Sequence, residues 1–411
     1  MILPLVVGCN GDEHAQTEEQ TTNASNEPLT INGVALKDYT VVCSSSAITG
    51  SGRAFVYLNK KLETLYGTTL EVELSNEDRP EILIGLDGDD EAIAAAYAQN
   101  QSGLIGATGK KIVLLGANYS ALCQVIDAFL AKATGDEGSK EISISGYEIQ
   151  DLNGLSLNVM TYNILFDMNK EGRESNCRVR MVETILENDV DVLGTQEDNK
   201  DNENRFVEKL KTYSCYKGGK EENDGNYIYW KTDKFNVIKK GFYYLSDTPE
   251  KKSKYDGSNQ YRTMTYVVLE ENETGRQFLF VNTHLDYRAT EAVRVKQIDV
   301  LTALIKKVND DDLPVIVLGD LNTTQNVGGG AILDFIGDNP TFGMTSKVAK
   351  VKEDTGGTLV NYFKYRDKNV FDYIFVSTDT IYTRYYTVVN NIKNGKYPSD
   401  HLPVLAKIDI Y

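Results

Sequence analysis

The chain contains a series of apolar segments that each end in polar side chains. In "LSLNVMTYNIL", for example, apolar and polar residues alternate as in a half-buried strand. The polar side chains at the ends of such segments are Asn163, Glu197, Asn282, His284, Asp286, Asp320, Asn322, Asp372, Asp400 and His401. Any single one is explained by the preference of Asn and Asp for turns. Because six such stretches fall in one part of the chain, we expect them to build a site at a sheet edge.

Over residues 151–411 the predicted strands outnumber the predicted helices. The pattern favours two mixed sheets packed face to face, with helices outside them, which is an α/β (α+β) fold. Helices are predicted at about residues 178–187 and 291–308 from their apolar periodicity. The buried positions predicted for the first of these helices are Val179, Val182, Ile185 and Leu186.

Residues 29–150 predict a separate, smaller α/β domain. Strands are predicted at "YTVVCSS", "TTLEVELS" and "EILIGL", and a helix is predicted from the spacing of Leu122, Val125, Ile126, Phe129 and Leu130. The segment resembles the non-catalytic α/β domain that precedes catalytic modules in some secreted glycoside hydrolases. It has no cluster of His, Asp and Glu, so we assign it no chemistry and leave its ligand open.

Residues 1–28 resemble the signal remnant and acidic tether of a bacterial lipoprotein. "ILPLVVGC" is an apolar run that ends at Cys9, and a polar, acidic segment follows it. A start codon assigned too late is the alternative interpretation. No run reaches the roughly 18 apolar residues of a membrane span. We therefore expect an exported protein that meets the cell envelope only through a lipid on Cys9.

The types of side chain at the strand ends limit the chemistry. Carboxylate and amide oxygens without thiolates suit Mg²⁺, with Mn²⁺ as the alternative ion. The five cysteines have no CxxC spacing, which argues against zinc. Two histidines beside carboxylates suit the binding and protonation of phosphoryl oxygens. There is no GxSxG motif for acyl transfer. Metal-assisted hydrolysis of a phosphate ester fits this set best.

Six motifs in order, "TYNI", "GTQE", "NTHLD", "GDLN", "FDYIFVS" and "SDHLPV", resemble those of the endonuclease/exonuclease/phosphatase superfamily. The resemblance covers residues 155–411. Within the superfamily, the sequence is similar to a bacterial secreted branch whose substrate is unsettled. It implies a four-layer αββα sandwich over residues 151–411, with the active site at one edge of the two sheets.

The resemblance also implies roles for the metal and the attacking water. Glu197 would be the main Mg²⁺ ligand, with Asn163 and Asp400 nearby. Asp320 would orient and deprotonate the water, and Asn322 would hold that water or a phosphate oxygen.

The histidines would act on the phosphate in the same scheme. His401 would bind the scissile phosphate, with its tautomer fixed by Asp372, and His284 would donate to a phosphate oxygen or to the leaving group. Arg262 and Arg294 could bind phosphate, and pairing with carboxylates in a structural role is an equally good explanation. The candidate substrate-binding residues are Arg262, Arg294 and Asp286.

Charge favours a small phosphodiester or phosphomonoester over duplex DNA. Residues 1–150 contain 9 Lys and Arg against 21 Asp and Glu, and residues 151–411 contain 34 against 39. Binding of nucleic acid by bulk electrostatics requires a basic stripe, and one loop, residues 247–262, contains more basic than acidic residues.

A second hypothesis is an exported surface protein with a vestigial catalytic fold that docks glycan or cell-wall polymer. The specific ester, endo or exo cleavage, and the number of metals stay open.

Overall fold

The computed structural model describes residues 29–43, 48–75, 78–85, 103–135, 140–150, 152, 154–166, 176–198, 206, 209–221 and 224–411. The predicted signal and tether, with Cys9, lie outside the described residues. Among the helices in those ranges, none is long and apolar enough to cross a membrane.

The first region, residues 29–150, contains two sheets and two α-helices within its described part. A five-stranded sheet has the order β3-β4-β6-β5-β8, and a three-stranded sheet has the order β2-β1-β7. The elements are β1 Leu29–Ile31, β2 Val34–Ala35, β3 Thr40–Cys43, α1 Ile48–Tyr66, β4 Glu81–Gly85, β5 Gly103–Thr108, β6 Lys111–Gly116, α2 Tyr119–Leu130, β7 Lys140–Ile142 and β8 Tyr147–Ile149.

Helices α1 and α2 pack on one face of the five-stranded sheet and form a core of their own. Leu58, Leu62, Val125 and Phe129 are fully buried in it. The strand predicted at "TTLEVELS" does not form. This segment makes only an isolated bridge between Val72 and Val41, because Leu70 alone of its apolar residues is buried and Leu74 is almost fully exposed.

The second region begins with β9 and contains most of the sheet structure. Its elements are β9 Leu155–Asn163, α3 Cys177–Glu187, β10 Val192–Asp198, β11 Tyr213–Glu221, β12 Asp224–Lys231, β13 Phe235–Tyr244, β14 Thr263–Glu271, β15 Gln277–His284, α4 Glu291–Val308, β16 Val315–Asp320, α5 Ala331–Asp338, β17 Phe342–Met344, α6 Thr345–Val348, β18 Val351–Lys352, β19 Val360–Asn361, β20 Tyr365–Arg366, β21 Asp372–Ser377, β22 Ile381–Val388 and β23 Val404–Ile410.

These strands form a four-layer αββα sandwich. Sheet I has the order β11-β12-β10-β9-β23-β22-β18, and sheet II has the order β13-β14-β15-β16-β21-β17. Side chains such as Val159, Trp230, Phe280 and Ile374 fill the space between the two sheets. Helix α3 covers the outer face of sheet I, and helices α4 and α5 cover the outer face of sheet II. The predicted fold is confirmed.

Helix α3 corrects part of the predicted burial. Met181, Val182 and Ile185 face sheet I, whereas Val179 and Leu186 are exposed. Residues at positions i, i+1 and i+4 occupy the centre of the buried face of a helix, and the two exposed side chains lie on its flank. The apolar periodicity gave the helix but not the centre of its buried face.

The strand directions bring the predicted site residues to one end of the sandwich. β10 runs parallel to β9 and β16 runs parallel to β15. The ends of β9 and β16 meet where Asn163 Nδ2 donates to Asp320 Oδ2 at 3.0 Å, so all four strands end on the same side. β21 and β23 run antiparallel to their neighbours and therefore begin there. The first region contacts the opposite end, where Ser120 Oγ donates to the carbonyl of Tyr411 at 2.9 Å and Arg53 pairs with Asp379.

Candidate active site

A pocket of about 360 Å³ opens at the strand ends where the six motifs meet. Seven of the eleven predicted site residues line it directly: Glu197, Arg262, His284, Asp320, Asn322, Asp400 and His401. The strand order brings these side chains together. In the pairing of β15 with β16, His284 lies beside Asp320, and in the pairing of β16 with β21, Asp320 lies beside Asp372.

Glu197 reaches the pocket through an irregularity in β10. The pairing with β12 shifts register between Thr195 and Asp198, and Glu197 has a left-handed backbone with φ +56°. Buried Asp198 stabilises the bulge by accepting hydrogen bonds from the hydroxyls of Thr195 (2.9 Å) and Tyr229 (2.8 Å). Bulges of this kind re-aim side chains near active sites, and this one directs Glu197 to the pocket.

Asn163, at the end of β9, is buried and joins two carboxylates. Its Nδ2 donates to Glu197 Oε1 at 3.2 Å and to Asp320 Oδ2 at 3.0 Å, and its Oδ1 accepts the N–H of Leu165 at 3.1 Å. In this structure Asn163 therefore positions Glu197 and Asp320. A ligand role for Asn163 requires the other orientation of its amide.

Asp320 is buried at the centre of the site. Its Oδ1 accepts the backbone N–H of Asn322 at 2.8 Å, which fixes the carboxylate. The preceding residue, Gly319, has φ +153°, and a Cβ there would lie 1.9 Å from the carbonyl oxygen of Thr283. Only glycine allows β16 to approach β15 so closely at this point, and this approach brings Asp320 next to His284.

His401 and Asp372 form a buried pair behind Asp320. His401 Nδ1 lies 2.8 Å from Asp372 Oδ2, and His401 Nε2 lies 3.6 Å from Asp320 Oδ2. Burial opposes a positive charge on His401, but the negative charges of Asp372 and Asp320 outweigh it and raise the pKa of His401 well above its usual value of 6.5. The two carboxylates therefore favour the protonated form of the imidazole.

His284 has a different environment on the other side of Asp320. A guanidinium nitrogen of Arg262 lies 2.9 Å from His284 Nδ1, and the side-chain amide of Asn322 lies 2.9 Å from Nε2. The distance from His284 Nε2 to Asp320 Oδ2 is 3.5 Å. Arg262 only donates, so Nδ1 of His284 accepts from it, and Nε2 is the ring nitrogen that faces Asn322 and Asp320.

Two of the polar strand-end residues, Asn282 and Asp286, make their contacts outside the pocket. Asn282 is fully buried and joins the two sheets, because its Nδ2 donates to the carbonyls of Thr195 and Tyr227. Both carboxylate oxygens of Asp286 accept backbone N–H groups, from Gln260 at 2.7 Å and Arg288 at 3.0 Å.

Arg294 lies on helix α4 and makes its hydrogen bonds to residues nearby in sequence, and not to the pocket. It donates to the carbonyls of Asp286 (2.9 Å) and Ala289 (2.8 Å) and to the carboxylate of Glu291 (2.8 Å). These contacts hold the loop between β15 and α4.

The pocket has further walls that the motifs do not reveal. Leu165, Phe166, Gln260, Tyr287 and Leu359 line it beside the polar residues. Phe166 follows the "TYNI" motif by only two residues, and its N–H donates to Glu197 Oε2 at 3.1 Å. In the sequence, only their position next to a motif indicates that Phe166 and Tyr287 lie near the site. Leu359 lies far from its neighbour His401 in sequence, and the fold alone reveals it.

The geometry agrees with comparisons against known proteins. The model of the Endonuclease/Exonuclease/phosphatase family matches residues 160–401. The chain belongs to the endonuclease/exonuclease/phosphatase family. All six motif segments and the whole pocket fall in the second region, which contains this match.

Two fungal proteins are similar in sequence. The CCR4-Not complex 3'-5'-exoribonuclease subunit Ccr4 of Debaryomyces hansenii is 24% identical over 250 residues, which is 50% of this chain and 30% of that protein. The subunit of the same name from Emericella nidulans is 23% identical over 318 residues, 56% of this chain and 47% of that protein. The chain thus matches less than half the length of either relative.

Solved structures from Bacteroides thetaiotaomicron share the fold. An endonuclease/exonuclease/phosphatase family protein covers 63% of this chain with all of its own length, at a TM-score of 0.58 and 23% identity. A mannosyl-6-phosphatase covers 61% of this chain and 99% of its own, at a TM-score of 0.56 and 24% identity. At these identities the likeness establishes the fold.

Proposed function

We propose that this protein hydrolyses phosphate esters with the help of a divalent metal, Mg²⁺ first and Mn²⁺ as the alternative. The observation that carries the proposal is the buried arrangement of Asp320 between His284 and His401, with Asp372 behind His401 and Glu197 joined to Asp320 through Asn163. Buried carboxylates and imidazoles in one pocket are typical of proton transfer at a functional site.

The donor groups at the pocket fit a hard cation. Glu197 and Asp400 both line the pocket and offer oxygen atoms, with the amide of Asn163 beside Glu197. Within the described part of the chain, Asp320, Asp372 and His401 also lie close enough together to hold an ion, but His401 Nδ1 is hydrogen bonded to Asp372. We therefore assign the ion to Glu197 and Asp400, where it would supply positive charge against the phosphate.

Asp320 is the group best placed to take a proton from the attacking water. It is held by the N–H of Asn322 and the amide of Asn163. The water oxygen forms a new bond to phosphorus, the bond from phosphorus to the leaving oxygen breaks, and one water proton passes to Asp320. Positioned general bases of this kind contribute about 10²–10⁴-fold to rate.

The two histidines act on the other oxygens. Protonated His401 donates from Nε2 to the phosphate and stabilises the charge that grows on it, while Asp372 holds its Nδ1. His284 donates from Nε2 to a phosphate oxygen or gives that proton to the leaving oxygen. Arg262 occupies Nδ1 of His284, so Nε2 is the nitrogen left to face the pocket.

A hydrolysis screen tests the proposal. Purified protein with Mg²⁺ or Mn²⁺ is offered bis-p-nitrophenyl phosphate, p-nitrophenyl phosphate, mannose 6-phosphate, RNA, plasmid DNA, sphingomyelin and inositol phosphates. The sugar phosphate and RNA represent the substrates in the names of a structural neighbour and of the fungal relatives. We expect turnover of at least one ester that both EDTA and His401→Ala abolish. Absence of turnover on every ester would contradict the proposal.

Export through a lipid on Cys9 stays a proposal of its own. It is supported by the sequence of residues 1–28, and the test is metabolic labelling of the protein with a fatty acid in wild type and Cys9→Ala.

A further inference from the structure

A small hairpin pairs with the segment that contains His401. Its strands β19 and β20 pair with each other, and Leu359, just before β19, lines the pocket. Leu359 forms a bridge with His401, and the N–H of Val360 donates to the carbonyl of Asp400 at 2.7 Å. The base of the hairpin is therefore fixed to the residues that we assign to the metal and the phosphate.

The turn of the hairpin is strained and exposes aromatic side chains. Tyr362 and Phe363 have φ angles of +55° and +57°, a conformation that is unfavourable for bulky residues. Phe363 is buried, and its carbonyl accepts the N–H of Tyr397 at 2.9 Å. Tyr362 and Tyr365, in contrast, are 83% and 67% exposed. Strain of this kind is concentrated at functional sites, and burial does not explain these two tyrosines.

The charge of the hairpin is opposite to that of the whole chain. The chain has 60 Asp and Glu against 43 Lys and Arg. In residues 359–368, Asp367 is the single acid beside Lys364, Arg366 and Lys368. The guanidinium of Arg366 pairs with Asp354 at 3.0 Å, so the charge that can meet a ligand is that of the two lysines. In the described part of the chain, Lys364 and Lys368 make no ion pair. Net charge therefore does not describe the surface beside the pocket.

Other parts of the pocket rim repeat the combination of tyrosine and cation. Tyr287 lines the pocket and is 50% exposed, and the guanidinium of Arg288 lies 5.0 Å from the centre of its ring. Tyr261 lies between two residues that line the pocket. The ammonium groups of Lys252 and Lys254 lie 4.7 and 5.4 Å from the centre of the Tyr261 ring. The rim thus offers both flat aromatic surfaces and positive charge.

We propose that the hairpin of residues 359–368 is a binding arm for single-stranded nucleic acid whose scissile phosphate lies in the pocket. This inference rests on the proposed function. Stacking of bases on tyrosine and pairing of phosphates with lysine is the chemistry by which single strands bind proteins. Tyr362 is three residues beyond Leu359, which lines the pocket, and three residues span at most about 10 Å, so an oligonucleotide with its phosphate in the pocket can also reach the hairpin tip.

The test compares substrates of different length. We measure kcat/KM for oligonucleotides from a dinucleotide to an octanucleotide, as RNA and as DNA, with bis-p-nitrophenyl phosphate as the internal reference. In wild type we expect kcat/KM to rise with length. In the double variant Tyr362→Ala, Tyr365→Ala we expect the ratio of octanucleotide to reference to fall at least about 5-fold, the smallest effect that loss of one stacked base implies.

Matched variants separate stacking from folding and from charge. The variant Tyr362→Phe, Tyr365→Phe keeps the rings, and we expect it to retain the length dependence. Lys364→Gln is expected to weaken octanucleotide binding and to reduce its salt dependence. Heparin is the polyanion without bases, and we expect its binding to be insensitive to the change from Tyr to Ala.

The outcomes distinguish the two proposals. An unchanged ratio at every length in the double Ala variant would overturn the binding arm, even if bis-p-nitrophenyl phosphate is hydrolysed. If no ester is hydrolysed by wild type, the proposed function fails, and fluorescence anisotropy of a labelled octanucleotide in EDTA still tests the arm. Equal affinity of wild type and the double Ala variant in that assay would overturn it.

Discussion

The two ends of the sandwich each carry a polar pocket, and they treat buried charge differently. The pocket at the end away from the active site is the larger, about 570 Å³ against about 360 Å³. Two buried acids line it. Asp191 accepts hydrogen bonds from Lys231 at 2.9 Å, from Lys234 at 3.2 Å and from the N–H of Asn158 at 2.7 Å, and Glu271 accepts from two backbone N–H groups and a hydroxyl. The charge of Asp191 is therefore balanced by its neighbours.

At the end with the candidate active site, two buried acids are paired with histidines instead. Asp320 and Asp372 lie beside His284 and His401, and within the described ranges no Lys or Arg makes an ion pair with either acid. Histidine can take up or release a proton near neutral pH, so these pairs can serve proton transfer. The partners of the buried acids, histidines at one end and lysines at Asp191, and not the volume of the pocket, distinguish the candidate active site.

The largest expected effect comes from Asp320→Asn. The amide keeps the shape of the side chain but cannot take a proton from water, so we expect the hydrolysis rate of bis-p-nitrophenyl phosphate to fall by about 10²–10⁴. The matched control is Asp191→Asn at the other end, for which we expect a rate close to that of wild type. Equal rates for wild type and Asp320→Asn would remove Asp320 from the reaction.

Asp372→Asn should have the next largest effect. The neutral amide no longer stabilises a positive charge on His401, so the pKa of His401 falls towards its usual value. We expect the rate at neutral pH to fall by roughly 10²-fold and the high-pH limb of the pH–rate profile to move to lower pH. A profile that keeps its wild-type shape would show that the pair does not control the reaction.

Asp191→Asn should affect stability and not rate. Asp191→Asn removes the shared partner of Lys231 and Lys234, which are partly exposed, and we expect the free energy of unfolding to fall by about 2 kcal/mol, the size of lost hydrogen bonds to a charged group. Urea denaturation followed by circular dichroism measures this. A loss of turnover without a loss of stability would contradict the contrast between the two ends.

The smallest expected effect concerns Glu291, at the start of α4. Burial opposes ionisation, but hydrogen bonds from the N–H of Ala331, from Arg294 and from the Thr323 hydroxyl outweigh it and lower the pKa of Glu291. A lowered pKa stabilises the fold above the unfolded value of 4.5, and that contribution is lost as the pH falls below it. We expect Glu291→Gln to lower the melting temperature slightly at pH 7 and to have less effect at acid pH, as measured by thermal unfolding.

Much of the fold could be predicted because the apolar patterns are strong. Helix α4 begins and ends at the predicted residues 291 and 308, and the sandwich and its edge site follow from the motif order. Periodicity could not place Val179 and Leu186, because the face that a helix buries depends on its tilt against the sheet. It also gave a strand at "TTLEVELS", where Leu74 has no neighbouring layer to cover it.

The site was predictable as a set of side chains but not as a set of contacts. Asn282 and Asn163 both follow apolar segments, yet Asn282 joins the two sheets and Asn163 joins two carboxylates of the pocket. The orientation of a side chain at a strand end depends on register and on bulges such as that at Glu197. The exposed tyrosines of the hairpin carry no motif, and their position beside His401 comes from the bridge to Leu359.

One measurement tests the central claim most directly: the rate of bis-p-nitrophenyl phosphate hydrolysis as a function of Mg²⁺ concentration, for wild type, Glu197→Gln and Asp191→Asn. We expect wild type and Asp191→Asn to show the same saturable activation and no rate in EDTA. Glu197→Gln should need far more Mg²⁺ and reach a lower rate. Hydrolysis that is independent of metal, or identical activation curves for wild type and Glu197→Gln, would contradict a metal-dependent phosphoesterase site at this end of the sandwich.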